Sequence, residues 1–307
     1  MSGRSLLEVS VPVATVWARP DAPRSVDAPA VLDQADVPGW AAAMDHRTRR
    51  GLHGRVVTQL LLGEPVEVLE RRQGWARVRA PRQPSSRDSA GYPGWVRRAH
   101  LAAPVRRDAG RALLVAEDDA VCVLDTGSTL ELSFGTRLWT ECPEQGAVLL
   151  PGDRRGTVVP GDMRPVGSGP AYHPDAVLGT ARRFLGLRYL WGGTSSWGLD
   201  CSGLVHLTYR AHGVVVPRDA FDQADVVEPV PLHEVRPGDL YFFARPGQRI
   251  YHVGFVTRPV AADGARWMLH APESGELVED APLAEHRHET LVSAGRVRGQ
   301  QDAGQDA

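Results

Sequence analysis

The chain has 307 residues, enough for one to three domains, and its 42% hydrophobic and 23% charged composition is ordinary for a soluble globular protein. A formal net charge of −2 with acids and bases intermixed argues against a nucleic-acid partner held by a basic field, and Arg49-Arg50 and Arg106-Arg107 read as solvated faces or loops. No apolar run approaches the ~20 residues of a membrane helix, so no membrane partner is expected.

From Met1 to Val16 apolar residues alternate around Pro12, without the continuous apolar stretch of a signal peptide. A first β-strand is expected there, and with no leader in view a cytoplasmic protein. Two stretches then repeat. Leu61-Leu62-Gly63 through Val68 aligns with Ser133-Phe134-Gly135 through Trp139, and Gly74-Trp75 aligns with Gly146-Ala147. Gly63 to Gly74 and Gly135 to Gly146 are equally spaced, and both stretches alternate between apolar and polar residues, as short hairpins do. The spacing predicts two small β-barrel modules, residues 1–104 and 105–168. The first carries an inserted segment, with a short helix at Trp40 to Met44, and a long Pro/Ser-rich loop from Pro81 to Pro93 that includes Tyr92. Glu64, in the repeat's first turn, is a candidate for facing a cleft.

Gly167-Ser168-Gly169-Pro170 marks a boundary. Beyond it, residues 169–300 read as an α+β domain. Helices are expected at Pro174 to Leu185 and Cys201 to His212, the second ending at Gly213. Strands are expected at Asp239–Ala244, His252–Thr257, Arg266–Ala271 and Leu291–Val297, followed by a disordered tail at 301–307.

The sharpest chemical signal is Asp200-Cys201-Ser202-Gly203. Asp200 is a good N-cap, which puts Cys201 in a first helical turn. Unpaired N–H groups and the macrodipole favour an anion there, so the thiol pKa is expected to fall, and the same N–H groups suit an oxyanion. A thiol nucleophile needs a base and an orienting third group. His252 starts one predicted strand and His270 ends the next, so adjacent strands can bring the two rings together. Cys122 and Cys142 read as buried small hydrophobes. With three cysteines and no CxxC or HxxxH spacing, neither a disulfide framework nor a zinc site is expected.

Tyr189-Leu190-Trp191-Gly192-Gly193, Asp200-Cys201-Ser202-Gly203-Leu204-Val205, Pro217-Arg218-Asp219, Arg236-Pro237-Gly238-Asp239-Leu240 and His252-Val253-Gly254 together resemble the NlpC-type cell-wall cysteine peptidases. These are papain-like hydrolases, and the resemblance covers roughly Pro174 to Val297. Val11 to Trp17 and Gly91-Tyr92-Pro93-Gly94-Trp95-Val96 resemble the bacterial SH3-like domains of one subgroup, the γ-D-glutamyl-L-diamino-acid endopeptidases, or dipeptidyl-peptidase VI.

The resemblance implies a set of roles. Cys201 attacks the carbonyl joining γ-D-Glu to meso-diaminopimelate or L-Lys, His252 carries the proton, and His270 orients His252. Tyr189 helps to hold the oxyanion. Asp219 and Tyr92 bind the ammonium of a free N-terminal L-Ala, Trp191 walls the pocket, and Asp200 and Ser202 line it. The alternative for Asp219 is a loop cap, for Tyr92 an aromatic packed on Trp95, and for Trp191 a core residue. Ala220 departs from the small polar residue that many relatives carry. The expected enzyme is a monomer acting on small cell-wall peptides in recycling, with no metal or cofactor. A wall-binding protein with a vestigial catalytic domain and a thiol acyltransferase remain as alternatives.

Overall fold

The computed structural model of the protein describes residues 5–107, 110–166, 173–272 and 276–298. It divides into two compact units, residues 1–169 with 191–198, and residues 170–190 with 199–307. The expected linker at 167–170 and the tail at 301–307 lie outside the described residues.

In the N-terminal unit the first module comprises β1 (Ser5–Val9), β2 (Val13–Trp17), β3 (Val56–Leu61), β4 (Pro65–Arg72), β5 (Trp75–Ala80), β6 (Tyr92–Arg97) and β7 (Leu101–Ala102). Their order in the sheet is β3-β2-β6-β5-β4-β1-β7. The second module comprises β8 (Arg111–Val115), β9 (Val121–Leu124), β10 (Thr129–Glu131), β11 (Arg137–Cys142), β12 (Ala147–Leu150), β13 (Arg154–Val158) and β14 (Met163–Pro165). These are ordered β10-β9-β13-β12-β11-β8-β14. Numbered from one within each module, both orders read 3-2-6-5-4-1-7, so the repeat is a repeat of topology. Among the described residues the outermost strands of each sheet do not pair with each other. Each module is a small SH3-like sheet that stops short of a closed barrel.

The repeated glycines do repeated work. Gly63 N–H donates to Val9 O at 2.9 Å and Gly135 N–H donates to Val115 O at 3.0 Å, each fastening a turn to the end of its module's first strand. At the crossing of the sixth strand over the second there is no room for a side chain. A Cβ on Gly94 would lie 2.4 Å from Val16 Cγ1, and one on Gly156 would lie 2.6 Å from Cys122 Sγ. Cys122 is buried in the second module's core, and burial pushes its thiol up to about 11. Leu62, from the turn after β3, packs into that same core and joins the modules.

The inserted segment holds α1 (Val37–Ala43) and α2 (His46–Arg50). Arg49, expected on a solvated face, is instead buried. It donates to the carbonyls of Met44 and Ala41, satisfying acceptors left open at the end of α1. Arg107 likewise has a partner, Glu8 of β1. Residues 191–198 also belong to this unit and contribute most of the hairpin β15 (Thr194–Ser195) to β16 (Gly198–Leu199).

The C-terminal unit contains α3 (Pro174–Arg182), α4 (Cys201–Ala211), α5 (Ala220–Val226) and α6 (Glu285–His288). Its strands are β17 (Glu228–Val230), β18 (Leu240–Ala244), β19 (Ile250–Val256), β20 (Trp267–His270), β21 (Glu279–Pro282) and β22 (Leu291–Arg296). They form one antiparallel sheet in the order β17-β22-β18-β19-β20-β21. Every residue of α4 is buried, as expected of a helix enclosed on all sides. Tyr209 of α4 packs against Phe255 of β19 and donates its hydroxyl to Gly238 O at 3.2 Å. Tyr241, Phe243, Val256, Met268, Leu283 and Ala294 form a buried apolar cluster on the same sheet. These contacts hold α4 against β19.

Candidate active site

Asp200 opens α4 as the sequence suggests. Its backbone is extended and its Oδ1 accepts the Gly203 N–H at 2.7 Å, so Cys201 is the first helical residue. The backbone N–H groups of Val253, on β19, and of Ser202 hydrogen-bond the Cys201 sulfur and favour its anion. Burial outweighs them, and with the Asp200 carboxylate adding to the effect it pushes the Cys201 thiol up to about 12. The expected fall in thiol pKa is therefore corrected. A helix N-terminus contributes about 0.3–2 kcal/mol, whereas full burial can shift a pKa by up to ~3–5 units. At rest Cys201 is a neutral thiol.

His252 is fully buried on β19, the strand whose next amide reaches the sulfur. Burial first, and then the neighbouring His270, Arg287 and His286, hold its imidazole well below the ordinary 6.5. Its Nε2 lies 2.8 Å from His270 Nδ1, and its Nδ1 has no hydrogen-bond partner among the described residues. His270 Nε2 in turn lies 3.3 Å from Glu279 Oε1, its cross-strand neighbour on β21.

These contacts select the tautomers. A carboxylate only accepts, so His270 carries its proton on Nε2 and turns a bare Nδ1 toward His252. His252 must then donate from Nε2, which leaves its Nδ1 lone pair available as a base. His270 itself is held below its ordinary pKa by burial, which Glu279 opposes only in part. The two rings meet because Gly254 leaves space beside β20, where a Cβ would lie 2.8 Å from His270 Cβ.

Asp200 and Ser202, expected to line the pocket, are tied up in a buried cluster. Arg218 grips both Asp200 carboxylate oxygens, at 2.9 and 2.8 Å, and also donates to Ser202 Oγ at 3.0 Å. With Gly203 N–H on the same carboxylate, Asp200 is occupied in holding the helix start. Gln223 braces the same turn by donating to Ser202 O and Pro217 O.

Asp219 precedes α5 and is half-buried, and its side chain does not cap the helix. Ala220 is the buried first residue of α5. Tyr189 is buried, with its N–H on Glu276 O and its backbone bridged to Leu199.

Tyr92 and Trp191 belong to the N-terminal unit. Tyr92 is not a loop residue. It is the first residue of β6, pairs with Ala80, and is 1% exposed within its own module's core. Trp191 donates its indole N–H to Val56 O at 3.0 Å and packs on His53. Glu64 is also buried, and its Oε1 accepts the Leu61 N–H. Arg218 and Glu279 are the site residues to which sequence reasoning assigned no role.

Residues 186–296 match the NlpC/P60 family, and residues 48–101 match the bacterial dipeptidyl-peptidase SH3 domain. Over 292 residues the chain is 34% identical to the gamma-D-glutamyl-L-lysine dipeptidyl-peptidase of Bacillus subtilis (strain 168), an alignment spanning 92% of this chain and 96% of that protein. The chain belongs to the NlpC/P60 family. This NlpC/P60 protein is also 31% identical over 290 residues to a protein of the same name from Bacillus cereus (strain ATCC 10987 / NRS 248), covering 90% of this chain and 85% of that one. The crystal structure of an NlpC/P60 family protein from Bacillus cereus ATCC 10987 superposes with a TM-score of 0.86 at 30% identity, over 95% of this chain and 99% of that one. The NlpC/P60 chain described here is accordingly a hydrolase of the cysteine peptidase class.

Proposed function

We propose that this NlpC/P60 peptidase hydrolyses the bond between γ-D-Glu and an L-diamino acid, meso-diaminopimelate or L-Lys, in short cell-wall peptides. The products are L-Ala-D-Glu and the diamino-acid peptide. The observation that carries the reading is similarity along nearly the whole chain to two proteins named gamma-D-glutamyl-L-lysine dipeptidyl-peptidase.

In the proposed reaction the Cys201 sulfur attacks the γ-carbonyl carbon as its proton passes to His252 Nδ1. The raised thiol and lowered imidazole pKa values favour this coupled transfer over a standing ion pair. N–H groups at the start of α4, with Tyr189, stabilise the oxyanion. The C–N bond breaks as His252 returns the proton to the leaving amine, giving a thioester on Cys201. A water then loses a proton to His252 and adds to the thioester carbon, and the thiol is released with that proton.

Asp219 is proposed to recognise the ammonium of a free N-terminal L-Ala. An acetylated end would leave its carboxylate without that partner. Free N-terminal L-Ala ends are those expected of released fragments, so a monomeric, cytoplasmic recycling enzyme goes with the proposal.

Mass spectrometry of matched peptides with free and acetylated L-Ala tests it. Cleavage of the free form at the γ-D-Glu bond, at least tenfold faster than the acetylated one, is expected. Equal rates, or cleavage at another bond, would overturn the reading.

A further inference from the structure

We infer that Gln59, in the first SH3-like module, is a positioning residue for catalysis, because it clamps the chain segment that leads into the nucleophile. Gln59 lies on β3 and is fully buried. Its Oε1 accepts the Thr194 N–H at 3.1 Å and the Ser195 hydroxyl at 3.0 Å, while its backbone carbonyl accepts the Thr194 hydroxyl at 3.0 Å. Gln83 backs the clamp by donating from Nε2 to the same carbonyl at 2.7 Å, and its own Oε1 accepts from Thr58 Oγ1 at 2.7 Å. The second module completes the grip: Ser196 N–H donates to Ser133 Oγ at 3.0 Å, and Ser196 Oγ accepts the Phe134 N–H at 2.9 Å.

The clamped segment is closed at its neck, where Leu190 N–H donates to Leu199 O at 3.0 Å and Tyr189 bridges Leu199. Asp200 and Cys201 follow directly. Residues 191–198 are thus held at the tip by both modules and tied at the base beside the proposed oxyanion residue and the nucleophile. The duplication supplies an internal control. In the second module the corresponding third strand, β10, is mostly exposed and carries no buried polar side chain, whereas β3 is buried along nearly its whole length. A buried carboxamide depends on hydrogen bonds to offset its desolvation, and here the oxygen takes both its partners from the entering segment while Nε2 has none among the described residues. The SH3-like fold therefore does not require Gln59, but the segment does. A catalytic group tolerates about 0.5 Å of displacement, and roughly 1 Å can cost on the order of 100-fold in rate. Loosening the tip is thus expected to appear in turnover before it appears in substrate binding.

The inference rests on Cys201 being the nucleophile, so its test carries a readout independent of cleavage. In the full-length protein, Gln59→Leu is expected to keep a near-native circular dichroism spectrum. It should lower kcat at least tenfold with KM within about threefold, and speed hydrogen exchange over 191–198. Gln59→Glu, which keeps an accepting oxygen, should recover most of kcat. If Gln59→Leu does not fold, Thr194→Val with Ser195→Ala removes the two hydroxyl bonds to Gln59, one to its backbone carbonyl and one to its Oε1, leaves the Thr194 N–H contact, and should lower kcat and speed exchange in the same direction by a smaller factor. Unchanged kcat together with unchanged exchange over 191–198 in a folded variant would overturn the clamp. Wild-type protein that fails to cleave the peptide, while exchange still responds to Gln59→Leu, would count against the proposed reaction and leave the clamp standing.

Discussion

His252 Nε2 and His270 Nδ1 lie 2.8 Å apart in the interior of the peptidase sheet, on neighbouring strands whose ladder pairs Phe255 with Leu269 and Val256 with Met268. Beyond that short ladder the two rings meet edge to face, which fixes the orientation of the proposed base.

His270→Ala should reduce kcat by roughly 100-fold, the lower range for a positioned acid–base group. His270→Asn restores a side-chain acceptor and should recover part of the loss. Steady-state kinetics on the two variants checks this. Equal activity in His270→Ala and the wild type would contradict the orienting role.

Low pH should destabilise the fold. Burial holds His100, His252 and His270 below the ordinary histidine value of 6.5, so the unfolded chain takes up protons there that the native protein refuses. The stability they contribute is complete above about pH 6.5 and is lost as pH falls through that value toward the depressed native ones. Thermal melts at pH 7.5 and 5.0 should show a lower Tm at the acidic value. The acid limb of kcat/KM should fall below pH 6.5, because His252 stays neutral further into acid.

Arg218 holds the buried carboxylate of Asp200, next in sequence to the proposed nucleophile; their side chains are 1% and 11% exposed. Arg218→Met removes the cation that faces the buried Asp200 carboxylate and should cost about 3–5 kcal/mol of stability. Arg218→Lys, which cannot make both contacts at once, should lie between that variant and the wild type. Urea denaturation of the three proteins measures the order.

The resting Cys201 thiol, raised to about 12, should react slowly with alkylating agents. At pH 8, iodoacetamide should modify Cys201 on the order of 1,000-fold more slowly than an exposed cysteine, in proportion to its scarce thiolate. Peptide mapping of a timed reaction reads this directly. Faster-than-exposed labelling would mean that a thiolate is already present at rest.

Local chemistry was legible from the sequence, and sums over distant contacts were not. Asp200-Cys201 marked the start of α4, and the equal spacing of Gly63–Gly74 and Gly135–Gly146 revealed the repeated sheet. The thiol pKa went the other way because desolvation collects every group packed around the sulfur, while the helix terminus is written in four residues. Arg218 reaches Asp200 across 18 positions, and Gln59 reaches Thr194 across 135, through turns that fix no register in advance. Tyr92 reads as a loop residue in the sequence because Pro93 obscures the alternation of Tyr92, Gly94 and Val96 as the inward face of a strand.

The most direct test of the account is acid-quench mass spectrometry of the enzyme turning over L-Ala-γ-D-Glu-L-Lys. The account predicts an L-Ala-γ-D-Glu thioester that maps to Cys201 and is absent, along with cleavage, in Cys201→Ala. Undiminished cleavage by Cys201→Ala, or an acyl group on any other residue, would contradict it.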